Sequence, residues 1–181
     1  MFNPNPSIAL FCVLGLCLSA TTVSLPDDRE QEIHITANKL MRNDKLGFTV
    51  YTGAVLMDQG SLHISADQIT IYGAGKTVDR IIARGQPATL QEQPEANKGP
   101  VRARADMIHY YQREDRVHFK GNASIEQDGS TVSGETIDYF ISQQLVKADS
   151  TQTTEGGRVQ VVIPARPAQQ TEEDSGSTDS E

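Results

Sequence analysis

A short pattern that recurs four times is the feature that most constrains how this chain can fold. Each copy reads apolar, x, apolar, x, Ala or Gly, polar, x, apolar. The small residue lies at Ala37, Ala66, Ala105 and Gly134, so successive copies are separated by 29, 39 and 29 residues. Repeats of a few tens of residues are typical of quasi-linear folds in which each unit stacks on the next. The repeat therefore predicts an elongated apolar interior instead of a compact pocket.

Within a copy, the alternation of apolar side chains changes phase at the small residue. Leu62, Ile64 and Ala66 share one parity, whereas Ile69 and Ile71 have the other. Because neighbouring side chains of a strand point to opposite faces, a change of phase requires a bend or a bulge. Each repeat is therefore predicted to turn a corner while its apolar residues stay on the inside.

The rest of the chain between Ile33 and Ile163 has a uniform composition and pattern of alternation. Segments rich in Val, Ile, Thr, Tyr and Phe alternate with a period of two and are separated by Gly, Asn and Asp turns. This pattern indicates an all-β fold of between about 11 and 16 short strands. The two halves of the domain repeat with an offset of 68 residues, and the insertion around Gln86 to Pro100 is interpreted as a longer loop.

The two ends of the chain differ from this domain. Residues 1–24 are interpreted as a signal peptide, because 11 apolar or small residues from Ile8 to Leu18 suit a secretory signal but are too short to cross a bilayer. Cleavage after Ala20 and cleavage after Ser24 both stay open, as do a retained anchor and a lipoprotein at Cys17. Residues 25–32 are interpreted as a linker and residues 164–181 as a disordered acidic tail.

Composition excludes some classes of function. Both cysteines, Cys12 and Cys17, lie in the predicted signal, so the mature chain is expected to contain no disulfide. The net charge of −8 argues against nucleic acid as a partner.

A set of motifs, in this order and spacing, resembles the OstA-like family of periplasmic lipopolysaccharide-transport proteins over about Gln31 to Pro167. The motifs are Ile33-His-Ile35, Tyr51-Thr-Gly53-Ala-Val55, Ile64-Ser-Ala66-Asp67, Gly85-Gln-Pro87-Ala-Thr89, Ala105-Asp106-Met-Ile108-His-Tyr110, Gly121-Asn-Ala123 and Arg158-Val-Gln-Val-Val-Ile163-Pro164.

The resemblance implies a single twisted antiparallel β-roll, or β-jellyroll, that spans residues 33–163 and is open at both ends. It further implies a periplasmic protein of Gram-negative outer-membrane assembly that bridges the two membranes and shelters the acyl chains of lipopolysaccharide in an apolar groove. The implied partners are an inner-membrane LptC-like protein, an outer-membrane LptD-like protein and further copies of the chain in head-to-tail association. No cofactor is implied.

Parity and the repeat together predict which residues face the interior, where they either contact lipid or fill an ordinary core. Tyr51 is preferred over Phe48 and Val50 because Phe119 holds the equivalent place in the second half. The predicted inward residues are Ile33, Ile35, Tyr51, Val55, Leu62, Ile64, Ile69, Ile71, Leu90, Ile108, Tyr110, Phe119, Ile125, Val132, Ile137 and Tyr139.

Polar residues that suggest other chemistry do not form a complete site. His34, His63, His109 and His118 alternate with inward residues, so they are expected to face outward and to bind no metal. The segment Gly73 to Thr77 lacks the first glycine of a phosphate-binding loop.

The carboxylates at the corners, Asp67, Asp106 and Glu135, have no accompanying base or nucleophile. They are expected to accept backbone N–H bonds at the bend, and no catalytic residue is predicted.

Two alternatives for the function of the chain stay open: an inner-membrane-anchored LptC-like component of the same machinery, and a β-solenoid scaffold without a ligand.

Overall fold

The computed structural model of the protein describes residues 28–74, 77–95, 98–150 and 157–165. The predicted signal peptide and nearly all of the predicted tail lie outside these residues. Within them the chain forms two short 3₁₀ turns, Asp28–Glu30 and Gln112–Glu114, and ten strands. The strands are β1 (His34–Thr36), β2 (Lys39–Asn43), β3 (Phe48–Gln59), β4 (Leu62–Ala74), β5 (Thr77–Glu92), β6 (Val101–Tyr111), β7 (Arg116–Gln127), β8 (Ser130–Phe140), β9 (Leu145–Asp149) and β10 (Gln160–Val162). No helix in the described ranges is long and apolar enough to span a membrane.

All ten strands belong to one antiparallel sheet in which β3 to β8 follow one another in sequence order. At one end, β1 and β2 both pair with β3, and at the other end, β9 and β10 both pair with β8. The sheet does not close, so the all-β prediction and the prediction of an unclosed roll are confirmed.

The strands are fewer and longer than predicted, because the corners lie inside continuous strands. The pairing register shifts at the corner in every adjacent pair from β3–β4 to β7–β8, for example between Arg104 and Met107. A bulge bends a strand without ending its hydrogen-bonded ladder. What the sequence suggested as two short strands is therefore one bent strand.

The line of bulges divides the sheet into two halves. Half-sheet A contains β1, β10 and the segments of β3–β8 on one side of the line, and half-sheet B contains β2, β9 and the segments on the other side. Their inner faces form one apolar cluster. The predicted loop at 86–100 is shorter than expected, because β5 continues to Glu92 and Leu90 is buried in the core.

Candidate functional site: the apolar interior and its mouth

An unbroken row of apolar residues crosses the inner face of half-sheet A. Each member is the direct cross-strand partner of the next, so all of them point to the same side of the sheet. The row runs through Ile35, Met57, Ile64, Leu90, Ala103, Ile125, Val132 and Val161. It therefore extends from the edge strand β1 to the edge strand β10.

Half-sheet B carries a matching row on its own inner face. It runs through Leu40, Tyr51, Ile69, Ala83, Ile108, Phe119, Ile137 and Ala148. The end residues are exposed: Leu40 is 62% exposed in half-sheet B, and Val161 is 57% exposed in half-sheet A. The apolar lining thus reaches solvent at the edges of the sheet.

All sixteen residues that the sequence predicts as inward lie in the apolar cluster or pack against it. Eleven of them are buried, and Ile33, Ile35, Tyr51, Ile71 and Val132 are partly buried. The choice of Tyr51 over Phe48 agrees with this placement. Contact of these residues with lipid stays a prediction.

Several interior residues were missed by the sequence reasoning. Met57, Ile81, Val101 and Val117 are each at most 1% exposed. Alternation was a sufficient signal for Met57, which shares the parity of Val55, and for Val101, which shares that of Ala103. The adjacent pair Ile81 and Ile82 gives no such signal, because both residues are apolar and both are buried.

The interior of the roll is a packed apolar cluster, whereas the resemblance implied an apolar groove. The buried apolar residues are at most 7% exposed, so the two inner faces pack against each other. Exposed apolar surface costs about 25 cal/mol per Å², which favours contact between facing apolar sheets. A depression of about 650 Å³ lies on the outer face of half-sheet A, where Leu56, Thr89 and Arg104 line it, and the sheet separates it from the interior.

Polar contacts close the side of the roll that lies opposite the corner. Here the β3–β4 and β5–β6 connections of half-sheet A meet the β6–β7 and β8–β9 connections of half-sheet B, and we call this seam the mouth. The Gln112 side-chain amide donates to the side-chain oxygen of Gln59 at 3.4 Å. The Lys98 ammonium group donates to Gln144.

The segment that precedes β1 lies across this mouth. Asp28 accepts hydrogen bonds from the backbone N–H and the hydroxyl of Ser61 in half-sheet A. Arg29 reaches half-sheet B, where it donates to the backbone oxygen of Gln112 at 3.3 Å and lies 3.5 Å from the Asp115 carboxylate. The sequence assigned this segment to a linker, and the structure adds that it bridges the two halves. We call residues 28–31 the strap.

Two tyrosines mark the polar margin of the interior. Burial raises the pKa of Tyr110 well above its usual range, and the nearby Glu92 acts in the same direction. Burial likewise raises the pKa of Tyr139 to about 12, with Glu92 again the next cause. The Tyr139 hydroxyl is buried and has no hydrogen-bond partner among the described residues.

The polar residues that the sequence analysis set aside lie away from the interior. His34 and His63 are exposed, and His63 Nδ1 lies 2.5 Å from the Asp58 carboxylate. His109 and His118 are half-buried on the outer face of half-sheet B, with ring centres 6.2 Å apart. No group of three or more metal-ligating side chains occurs within the described part of the chain.

The corner carboxylate Asp106 has a different partner from the one predicted. Its Oδ2 accepts a hydrogen bond from the side-chain amide of Asn122 at 3.0 Å. Gly121 and Asn122 have φ values of 80° and 48°, so the neighbouring strand bulges toward the carboxylate. Gly53 and Ala54 repeat this geometry next to Asn38. At these two corners, Asp106 and Asn38 therefore pack against bulges.

Comparison with known proteins agrees with this architecture. The sequence pattern of the family described as "LptA/(LptD N-terminal domain) LPS transport protein" matches residues 34–145. The lipopolysaccharide export system protein LptH of Pseudomonas aeruginosa is 31% identical over 157 residues, which cover 83% of this chain and 90% of that protein. The lipopolysaccharide export system protein LptA of Escherichia coli K12 is 29% identical over 167 residues, which cover 90% and 88%.

The fold has a solved counterpart. It is the crystal structure of LptH, described as the LptA homologous periplasmic component of the conserved lipopolysaccharide transport device from Pseudomonas aeruginosa. The two structures superpose with a TM-score of 0.72 at 30% sequence identity, over 77% of this chain and all of that one.

Proposed function

The chain belongs to the LptA and LptD N-terminal-domain family of lipopolysaccharide-transport proteins, as the sequence motifs indicated, and we propose that it carries lipopolysaccharide across the periplasm with the acyl chains between its two inner faces. The observation that carries this proposal is the pair of apolar rows that run from edge to edge of the sheet. A row without a polar interruption lets a chain slide, because hydrophobic contact is non-directional.

The energetics favour such a path over any arrangement of surface charges. Each methylene group exposed to water costs about 0.8 kcal/mol, so an acyl chain of a dozen carbons costs roughly 10 kcal/mol. Entry of that chain requires the half-sheets to separate. They are joined covalently at the corner, but at the mouth they are held by polar contacts such as the one between Gln59 and Gln112. The mouth is therefore the side from which lipid enters.

The edges of the sheet suit an assembly of several units. Val161, Val162 and Ile163 are 57%, 62% and 76% exposed at the β10 edge. Unpaired strand edges with apolar side chains favour addition of another strand. We extend the proposal to head-to-tail association and to end contacts with an inner-membrane LptC-like and an outer-membrane LptD-like protein, so that the apolar rows continue from one unit to the next. The proposal includes no catalytic step.

Photo-crosslinking in living cells tests the interior path. A crosslinking residue is placed at the inward positions Ile35 and Leu90, and at their outward neighbours Thr36 and Thr89 as matched controls. Labelling by lipopolysaccharide is expected at Ile35 and Leu90 and absent at Thr36 and Thr89. Absence of labelling at all four positions would favour the scaffold without a ligand.

Mass spectrometry of the mature protein tests the anchored LptC-like alternative. A mature protein that retains Met1 would favour that alternative.

A further inference from the structure

The outer face of half-sheet B carries a row of aromatic and basic residues next to the mouth. Direct cross-strand pairing joins its members, so they lie side by side across six strands. The members of this aromatic–basic row are Phe48, Tyr72, Arg80, Tyr111, Arg116 and Phe140. Because the turns at 112–115 and 141–144 follow directly, the row forms the outer lip of half-sheet B.

The aromatic rings and the basic groups of the row are stacked on one another. The guanidinium carbon of Arg80 lies 4.4 Å from the ring centre of Tyr72, and that of Arg116 lies 4.3 Å from the ring centre of Tyr111. Lys147, on β9 beside the row, lies 5.1 Å from the ring centre of Phe140. Stacking holds each cation in place at the lip.

The two arginines of this row differ in how their charge is compensated. Arg116 pairs with Glu114 and Asp138, but Arg80 has no carboxylate within ion-pair distance in the described part of the chain. The Nε of Arg80 is buried and has no hydrogen-bond partner there. The pKa of His109 on the same face is lowered. Burial is the main cause, and the positive charges around His109, which include Arg80, act in the same direction. Arg80, Arg84 and Lys120 therefore bring positive charge to this face of a chain whose net charge is −8.

The facing lip of half-sheet A differs in composition. Its outermost cross-strand row is polar, lacks aromatic residues and mixes both signs of charge. That row consists of Asp58, His63, Gln91, Arg102, Glu126 and Thr131. Arg102 donates to Gln91 at 3.1 Å. The two lips of the mouth are therefore chemically unequal.

We propose that the aromatic–basic row binds the phosphorylated sugar head of the lipid whose acyl chains lie in the interior. This inference rests on the proposed function. A head that leaves the mouth must lie against one lip or the other. The lip of half-sheet B combines cations for phosphate with Phe and Tyr rings for sugar faces, whereas the lip of half-sheet A has Arg102 but no Phe or Tyr. Guanidinium groups match phosphate oxygens in a bidentate geometry, and stacked aromatic rings present flat apolar surfaces. The row holds the sugar head on the half-sheet B side of the mouth while the acyl chains slide through the interior.

Binding measurements with two variants test this inference. Arg80→Gln removes a cation of the row, and Arg102→Gln is the matched control on the other lip. The probes are purified lipopolysaccharide, the same lipopolysaccharide after enzymatic dephosphorylation, and the uncharged apolar dye N-phenyl-1-naphthylamine. Loss of a charge-assisted contact is expected to weaken binding of intact lipopolysaccharide about tenfold in Arg80→Gln. Binding of the dephosphorylated lipid and of the dye should equal that of the unaltered protein, as should all binding by Arg102→Gln.

The outcomes separate this inference from the function on which it rests. Equal affinity of Arg80→Gln and Arg102→Gln for intact lipopolysaccharide would overturn the head-binding row and leave the transport function standing. Failure of the unaltered protein to bind lipopolysaccharide would overturn the transport function itself. If circular dichroism shows that Arg80→Gln is unfolded, Lys147→Gln on the exposed edge strand decides, and unchanged lipopolysaccharide binding by that variant would overturn the inference.

Discussion

Asp28 and Ser61, which lie 33 residues apart, are joined by two hydrogen bonds: the Ser61 N–H and hydroxyl both donate to the Asp28 carboxylate, at 2.8 and 2.5 Å. The next residue, Arg29, binds the opposite lip at Gln112. Consecutive strap residues therefore hold the two half-sheets at the mouth. Polar contacts at a surface contribute little free energy each, so the mouth opens at lower cost than the corner.

Replacement of Asp28 tests the role of the strap. Asp28→Ala is expected to lower the free energy of unfolding by about 1–2 kcal/mol, because the Ser61 donors lose a charged acceptor. It is also expected to speed reaction of a single cysteine placed at Tyr110, at the margin of the interior, with a soluble thiol reagent. Denaturant unfolding and the labelling rate are the two measurements.

The matched control is Asp44→Ala. The Asp44 carboxylate pairs with Arg42 in the exposed β2–β3 turn at 2.5 Å, and this pair involves no residue of the strap. An exposed pair contributes about 0–1 kcal/mol, and its loss should leave the labelling rate unchanged. Equal labelling rates in Asp28→Ala and the unaltered protein would show that the strap does not restrict access.

Gly121 is predicted to be required at its corner for two separate reasons. Its φ of +80° disfavours a side chain, and an added Cβ would lie 2.5 Å from Oδ2 of Asp106. Gly121→Ala is therefore expected to cost about 1–2 kcal/mol for the backbone and about 1–3 kcal/mol more for the clash. Thermal unfolding measures the loss.

Gly129→Ala separates these two costs. Gly129 has a φ of +78°, but its added Cβ would meet only the Pro164 side chain, at 3.4 Å. This variant should show the backbone cost alone. Destabilisation of both variants to the same extent would mean that contact with the corner carboxylate contributes nothing.

The interior could be predicted from the sequence because alternation is a local signal. Leu62, Ile64 and Ile69 follow a period of two with one change of phase, and the repeat supplies the same information four times. The signal does not distinguish a bulge from a strand end, since both change the phase. That ambiguity explains why the strand number was overestimated.

The mouth and its outer lip could not be predicted in the same way. The strap joins Asp28 to Ser61 and Arg29 to Gln112 through polar groups that carry no periodicity. The aromatic–basic row becomes visible only when the register of six strands is known, because Phe48 and Phe140 lie 92 residues apart. Residues that meet only through tertiary register leave no local pattern.

Tyr139 is expected to make stability fall at high pH. Burial raises its pKa from an ordinary value of 10.0 to about 12, so the folded protein holds this proton more tightly than the unfolded chain does. Ionisation of Tyr139 therefore costs the folded state nothing below about pH 10, and stability falls as the pH rises from there toward about 12. Tyr139→Phe should show a smaller fall in the free energy of unfolding between pH 9 and pH 11.5, measured by denaturant unfolding.

The same variant has a second expected result at neutral pH. Because the Tyr139 hydroxyl is buried without a hydrogen-bond partner among the described residues, its removal should be neutral or stabilise by up to about 1 kcal/mol. Tyr111→Phe, which removes a hydroxyl on the outer face, controls for tyrosine content. A loss of more than about 1 kcal/mol in Tyr139→Phe at pH 7 would show that the hydroxyl has a stabilising partner.

A charge at the β10 edge is expected to weaken end-to-end association. Val161 is 57% exposed and ends the apolar row of half-sheet A, where it pairs with Val132. Val161→Lys places a cation where the row would continue into a second copy, and lysine on an edge strand opposes further strand addition. Sedimentation velocity over a series of concentrations should show mainly monomer for this variant and larger species for the unaltered protein.

The matched control is Leu46→Lys, which places the same charge at a 69% exposed residue in the β2–β3 turn. This variant should associate like the unaltered protein. Equal association of both variants would place the contact between copies away from the β10 edge.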